Sequence, residues 1–193
     1  ARGMSIVYEG TFTEASQTDF NTQLTGAQSA GANMVFLPIY YEPASVILTQ
    51  ANAMGYTPTF FGVDGMDGIL GVQGFDTSLA EGVYLLTPFS ADAEDEATQA
   101  FVAEYQERFG GTPNQFAADA YDGIYILYNA IQAAGVTADM SNEEICDALI
   151  AAMGDLSIVG LTSAGSEMTW DDNGAVSKDP AAVIIENGTY VTP

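Results

Sequence analysis

Histidine is absent from the 193-residue sequence, and cysteine occurs only once, as Cys146. Without histidine, Ser-His-Asp and Cys-His catalysis and histidine-ligated metal centres are excluded. A single cysteine likewise excludes an intrachain disulfide and a cysteine-cluster metal site. Because Cys146 lies in an apolar helical pattern, the sequence predicts a small buried side chain there and not a reactive thiol.

Basic residues are almost as scarce, since Arg2, Arg108 and Lys178 face 26 acidic residues and the net charge is −23. Nucleic acids are therefore excluded as partners, because binding them requires cations that pair with phosphates. Anionic membranes are disfavoured for the same reason. The sequence also has no run of about 18 apolar residues that would span a membrane. No basic segment followed by an apolar one opens the sequence, so we expect a signal peptide to be absent or removed.

The first part of the sequence alternates short apolar runs with amphipathic stretches. Helices are predicted to begin at Asp19 as an N-cap, at Glu42-Pro43, and after the acidic run 92–96. The predicted strands are Met4–Tyr8, Met34–Leu37, a short strand at Phe60-Phe61, and Gly82–Leu86. Such alternation is typical of an α/β fold, with a parallel sheet and helices on its faces.

The pattern changes near Pro113. A long helix is predicted from Phe116 to Ile131, and a second one begins with a capping box formed by Ser141 and Glu144. These helices have few partners in the remaining sequence. The tail is predicted to be a β segment, with turns at 173–174 and 187–188.

Asp64 is the first polar side chain after the predicted Phe60-Phe61 strand. Ligands of open α/β sheets bind at the carboxyl ends of the strands, so Asp64 is a candidate ligand contact. The alternative is a turn residue that hydrogen-bonds its own backbone. Neither the glycine spacing from Gly62 to Gly68 nor the acidic cluster near Asp171 matches a nucleotide or calcium motif, so no cofactor or metal is predicted.

Several segments in succession resemble the substrate-binding proteins of branched-chain amino-acid ABC transporters, which are type I periplasmic binding proteins. The segments are DFNTQL at 19–24, GANMVF at 31–36, YYEPA at 40–44, QANAMG at 50–55, FGVDG at 61–65, AEGV at 80–83, AYDGIY at 120–125 and WDDNG at 170–174. No single segment is specific, but their order and spacing match over almost the whole sequence.

This resemblance implies a two-lobed receptor with its ligand between the lobes. Residues 1–112 would form most of the C-terminal, Rossmann-like lobe, 113–160 would be helices that cross to the N-terminal lobe, and 161–193 would return. Members of the family are nearly twice as long, so the resemblance implies a C-terminal portion that lacks the core of the N-terminal lobe. Apolar surface that the absent lobe would cover could then drive self-association of this portion.

The resemblance also implies three ligand-binding residues and no catalytic ones. Asp64 would pair with the α-ammonium group of the ligand, while Tyr40 and Tyr121 would line the cleft. The alternatives are a surface aromatic for Tyr40 and a core residue for Tyr121. The family often has Glu where this sequence has Asp64, which shortens the reach by one methylene group and leaves the ligand open.

The function implied is that of an extracytoplasmic receptor, anchored as a lipoprotein, that delivers an amino acid or related amine to an ABC transporter permease. Two alternatives remain open at this point. One is the ligand-sensing ectodomain of a signalling receptor, which uses the same lobes. The other is a hydrolase that uses two carboxylates, for which Asp64 and Asp67 are the candidates.

Overall fold

The computed structural model describes residues 3–163, 165–179 and 181–191 of the chain. Its helices are α1 (Asn21–Ser29), α2 (Tyr41–Ala53), α3 (Glu96–Phe109), α4 (Gln115–Ala133) and α5 (Asn142–Met153). Its strands are β1 (Met34–Leu37), β2 (Thr59–Gly62), β3 (Tyr84–Thr87), β4 (Ala181–Glu186) and β5 (Thr189–Val191). Within the described residues these elements form two compact units, one of 3–87 with 182–191 and the other of 88–181.

The first unit is built on a five-stranded sheet with the strand order β1-β2-β3-β4-β5. β1 pairs with β2, and β2 with β3, in parallel. β4 and β5 form an antiparallel hairpin whose turn is Asn187-Gly188, with φ of 54° and 73°. The predicted α/β lobe with a C-terminal β segment is confirmed.

The core of this unit lies between the sheet and the helices α1 and α2. Phe20 and Leu24 are buried beside α2. The buried apolar residues of α2 follow the i, i+3, i+4, i+7 spacing of one helix face, and they are Ala44, Ile47, Leu48 and Ala51. The sheet contributes alternate residues, as expected when one face of a strand is buried. These residues are Phe60, Leu85, Val183 and Ile185.

The predicted strand at Met4–Tyr8 does not form. Met4 and Ile6 are 77% and 82% exposed, and the segment has no strand partner among the described residues. The following residues contact α1, where the Gln23 side-chain amide donates to the Thr11 carbonyl at 2.9 Å. β propensity describes a side chain that fits a pleated surface, and it forms a strand only where an edge is available for pairing.

The predicted N-cap at Asp19 is also wrong, because α1 begins two residues later. Phe20 is the N-cap, and its backbone N–H donates to the Gln50 side-chain oxygen at 2.7 Å. Asp19 instead accepts from the backbone and side chain of Asn21, and these bonds lower the pKa of its carboxyl group. Gln50, which lies 30 positions further along the sequence, thus supplies the acceptor for a backbone N–H at the start of α1.

Cys146 is exposed on α5, so the prediction of a buried cysteine is wrong. The partly buried apolar residues of α5 include Ile145 and Leu149, four positions apart on one face of the helix. Cys146 follows Ile145 by one position and therefore points away from that face.

The second unit contains α3, α4 and α5, with termini that the sequence predicted well. The Asp95 carboxylate caps α3 by accepting from the Thr98 N–H at 2.9 Å, and Ser141 and Glu144 form the capping box of α5. The apolar face of α4 is open to solvent, and Ile124 there is 68% exposed. Among the described residues, no helix combines the length and apolar character needed to cross a membrane.

Asp122 of α4 is hydrogen-bonded to the segment 160–162, which follows α5. Its buried carboxylate accepts the N–H groups of Leu161 and Thr162 at 2.9 and 2.8 Å, and the Thr162 hydroxyl at 2.8 Å. A Cβ on Gly160 would come within 2.6 Å of this carboxylate, so the segment wraps closely around it. A buried charge is tolerated here because several donors replace its hydration.

Replacing Asp122 with Ala is expected to lower the free energy of unfolding of the second unit by about 3 kcal/mol, because buried donors lose a charged acceptor. Trp170 is the single tryptophan and lies in this unit, so its fluorescence during urea denaturation reports the change. Asp119→Ala on the same helix is the control. It removes a half-exposed ion pair with Lys178 and should cost less than about 1 kcal/mol. Equal losses in both variants would contradict this role of Asp122.

Candidate functional site

Two loops leave the sheet of the first unit side by side. β1 and β2 run in parallel with Leu37 opposite Gly62, so both strands end at the same edge of the sheet. The segment 38–40 follows β1, and the segment 63–68 follows β2. This edge is the place where α/β sheets bind ligands.

Gly65 allows these two loops to touch. A Cβ atom added at Gly65 would stand 2.8 Å from the Ile39 carbonyl oxygen and 3.5 Å from the Cα of Tyr40. The first distance is shorter than real Cβ contacts, and the atom met is backbone, so only glycine fits without a shift. The loop after β2 is therefore held directly against the loop after β1.

The loops that carry Tyr40 and Asp64 are brought together by this contact. Tyr40 occupies the N-cap position of α2 in an extended conformation and is 63% exposed. Asp64 is exposed and is the first residue of a short 3₁₀ turn, Asp64–Met66. Two of the three residues predicted to bind ligand thus lie on adjacent loops at one sheet edge.

The third predicted residue, Tyr121, belongs to the second unit. Its ring lies 5.0 Å from that of Phe101 and 4.8 Å from that of Tyr125, centroid to centroid. A hydrogen bond to the Tyr125 hydroxyl, followed by partial burial, raises the pKa of Tyr121 to about 12. Tyr121 is two-fifths exposed and its helix neighbours Ile124 and Tyr128 more so, which does not fit the alternative of a core stripe in this chain.

Sequence reasoning missed the aromatic cluster to which Tyr121 belongs. The cluster also includes the rings of Phe89, Phe101 and Tyr105. The Phe101 ring lies 6.0 Å from each of the other two, centroid to centroid. The spacing of Phe101 and Tyr105 on α3 indicated one shared face. Their pairing with α4 could not be read from the sequence, because it depends on how the two helices pack.

The electrostatics of the first unit are one-sided. Residues 3–87 and 182–191 contain no lysine or arginine. Their carboxylates are those of Glu9, Glu14, Asp19, Glu42, Asp64, Asp67, Asp76, Glu81 and Glu186. The field around the candidate site is therefore negative, which attracts cationic groups and repels anionic ones.

The carboxylate pair considered for a hydrolase does not share one surface. Asp64 is exposed, whereas Asp67 is only 4% exposed and lies beside Tyr190 of β5.

Within the part of the chain that the structure describes, no group of three or more acidic or cysteine side chains is arranged to hold a metal ion. The acidic turn at Asp171 has a structural explanation, because its carboxylate accepts the N–H groups of Asn173 and Ala175.

Comparison with known proteins identifies relatives over most of the chain. A sequence model of the family described as "Periplasmic binding protein" matches residues 1–188. No curated protein matches the chain.

Solved structures of binding proteins superpose well on the chain. A leucine-binding protein of Thermotoga maritima is 25% identical, with a TM-score of 0.76 over 95% of this chain and 50% of its own. A branched-chain amino-acid binding protein of Streptococcus pneumoniae in complex with isoleucine is 27% identical, with a TM-score of 0.72 over 91% of this chain and 49% of its own. A solute-binding protein of R. palustris in complex with benzoate shares the fold at 18% identity, with a TM-score of 0.75 over 90% of this chain and 46% of its own. The chain thus spans about half the length of the structures it matches.

The contact at Gly65 can be tested by substitution. Gly65→Ala is expected to lower the free energy of unfolding by about 1–3 kcal/mol, because the methyl group overlaps the Ile39 carbonyl. Gly71→Ala is the matched control, since nothing lies within 4 Å of a Cβ there, and it should leave stability unchanged or raise it by up to about 1 kcal/mol. Urea titrations followed by far-UV circular dichroism measure both. Coincident midpoints would show that the two loops are not in tight contact.

Proposed function

The chain belongs to the periplasmic binding protein family, and from this membership we propose that the full-length protein is an extracytoplasmic receptor for an amino acid or related amine. It captures this solute between two lobes and delivers it to the permease of an ABC importer. The observation that carries the proposal is that Tyr40 and Asp64 lie on two loops in direct contact at the carboxyl edge of the parallel sheet. A carboxylate and an aromatic ring are both favourable partners for an alkylammonium group, the first through charge-assisted hydrogen bonds and the second through cation–π attraction.

The charge of the first unit supports an amine-bearing ligand. A zwitterion that leaves water needs a directional partner for each of its charges. Asp64 is the partner for the ammonium group, and its charge-assisted hydrogen bonds are about twice as strong as neutral ones. A ligand with only a carboxylate, such as the benzoate bound by the R. palustris protein, would meet a field of its own sign on this unit.

The other half of the binding site belongs, in this proposal, to sequence outside this chain. The chain spans about half the length of its structural relatives, and the amino-acid carboxylate needs N–H and hydroxyl donors there. We assign residues 1–112 and 161–193 to the C-terminal lobe and 113–160 to helices that cross to the N-terminal lobe. The exposed apolar face of α4 supports this assignment, since such faces mark interaction surfaces. Tyr121 lines the cleft from this crossing helix, and a lipid anchor belongs to the same proposal.

Asp64→Ala is expected to weaken amino-acid binding to the full-length gene product by about 10- to 100-fold, because the bound ammonium group loses its charged partner. Isothermal titration calorimetry with the amino acid that gives the largest thermal shift in a panel measures the loss. Asp76→Ala is the control, because Asp76 is also exposed in this unit but caps a different turn. Unchanged affinity in Asp64→Ala would remove Asp64 from the site.

The ligand class has a separate test in the unmodified protein. L-Leucine and 4-methylpentanoate have the same carbon skeleton and carboxylate, and only leucine carries the ammonium group. We expect leucine or a related amino acid to raise the melting temperature by several degrees at large excess, and the deaminated acid to have no effect. Stabilisation by the deaminated acid or by benzoate alone would contradict an amine receptor.

A further inference from the structure

The loop that carries Asp64 also carries a second carboxylate, with a different environment. Asp67 is three residues further along and is 4% exposed. Burial of a carboxylate is costly unless hydrogen bonds replace its hydration. One of these bonds comes from the Tyr190 hydroxyl, which lies 123 positions later in the sequence, on β5.

Tyr190 contacts the loop at two points. Its phenol oxygen accepts the backbone N–H of Gly68 at 3.1 Å, and its hydroxyl group is hydrogen-bonded to the Asp67 carboxylate. One side chain from the end of the chain therefore joins two consecutive residues of the loop. The burial of this contact also raises the pKa of the Tyr190 phenol, an effect that the Asp67 charge increases, so the hydroxyl keeps its proton.

Tyr190 is itself held in place by its hairpin. The Glu81 carboxylate accepts the N–H groups of Asn187 and Gly188 at 2.9 and 2.7 Å, and these two residues form the β4–β5 turn. β5 then pairs with β4, with Tyr190 opposite Ile185, a fully buried residue. The hydroxyl group thus projects from a fixed strand and not from a loose terminus.

The loop transmits this restraint to Asp64. The Asp67 N–H donates to the Asp64 carbonyl at 2.9 Å, and the Met66 N–H donates to the Val63 carbonyl at 2.9 Å. These bonds close a 3₁₀ turn, so the backbone from Val63 to Asp67 forms one hydrogen-bonded unit. A loop with glycines at positions 65 and 68 would otherwise have wide backbone freedom.

We propose that Tyr190 is a positioning residue that holds the loop 64–68 in the conformation in which Asp64 meets the ligand. This inference rests on the proposed function of Asp64. Its physical content is preorganisation: a loop that is already fixed loses less conformational entropy when the ligand binds. Tyr190 does not touch the ligand, and it acts through Asp67 and Gly68.

The test is Tyr190→Phe in the full-length gene product, which removes one oxygen atom and keeps the ring. Hydrogen exchange at the Gly68 amide should accelerate by about tenfold or more, because that N–H loses its acceptor. Affinity for L-leucine, measured by calorimetry, should fall by about three- to tenfold. Asp67→Asn keeps the shape of the loop and should change both quantities in the same direction by less.

Tyr56→Phe is the matched control. Tyr56 is a buried tyrosine of the same unit whose hydroxyl donates to the Ala32 carbonyl at 2.8 Å, away from the loop. It should lower the melting temperature comparably while leaving Gly68 exchange and leucine affinity unchanged. Unchanged Gly68 exchange or unchanged affinity in Tyr190→Phe, or equal changes in Tyr56→Phe, would overturn the proposal. Failure of the unsubstituted protein to bind leucine or another amino acid would instead contradict the proposed function.

Discussion

The parallel register of β1 and β2 is the constraint on which the candidate site depends. Because Leu37 lies opposite Gly62, the loops that follow β1 and β2 leave the sheet side by side at the same edge. The close approach of Gly65 to the Ile39 carbonyl then sets the distance between the loops. The aromatic strand β2, Gly65 and Asp64 are thus placed beside the loop after β1 only because β2 pairs with β1 in this register.

The sequence predicted most of the local structure. It failed where a residue far away in the sequence determines whether a helix begins or a strand forms. The capping box at Ser141, the start of α3 after the acidic run 92–96 and the Asn187-Gly188 turn were predicted because each depends on residues within a few positions. The start of α1 was missed because Gln50 satisfies the N–H of Phe20 from another helix. The Met4–Tyr8 strand was wrong because β propensity does not supply a pairing edge.

The candidate site divides in the same way. Tyr40 and Asp64 could be predicted to lie near each other, since both follow strands of a parallel sheet. The buried state of Asp67 could not be predicted, because its partner Tyr190 lies at the far end of the chain and no pattern connects them. That residues 3–87 and 182–191 contain no lysine or arginine could be read directly from the sequence, and this makes the electrostatic field at the candidate site negative. Acidity that excludes nucleic acids as partners is the same property that supports an amine as ligand.

A crystal structure of the full-length gene product with its amino acid is the measurement that tests the central claim most directly. The account predicts an ammonium nitrogen within about 3 Å of an Asp64 carboxylate oxygen, with the Tyr40 ring beside it. A ligand whose ammonium group pairs elsewhere, with Asp64 facing solvent, would contradict the account.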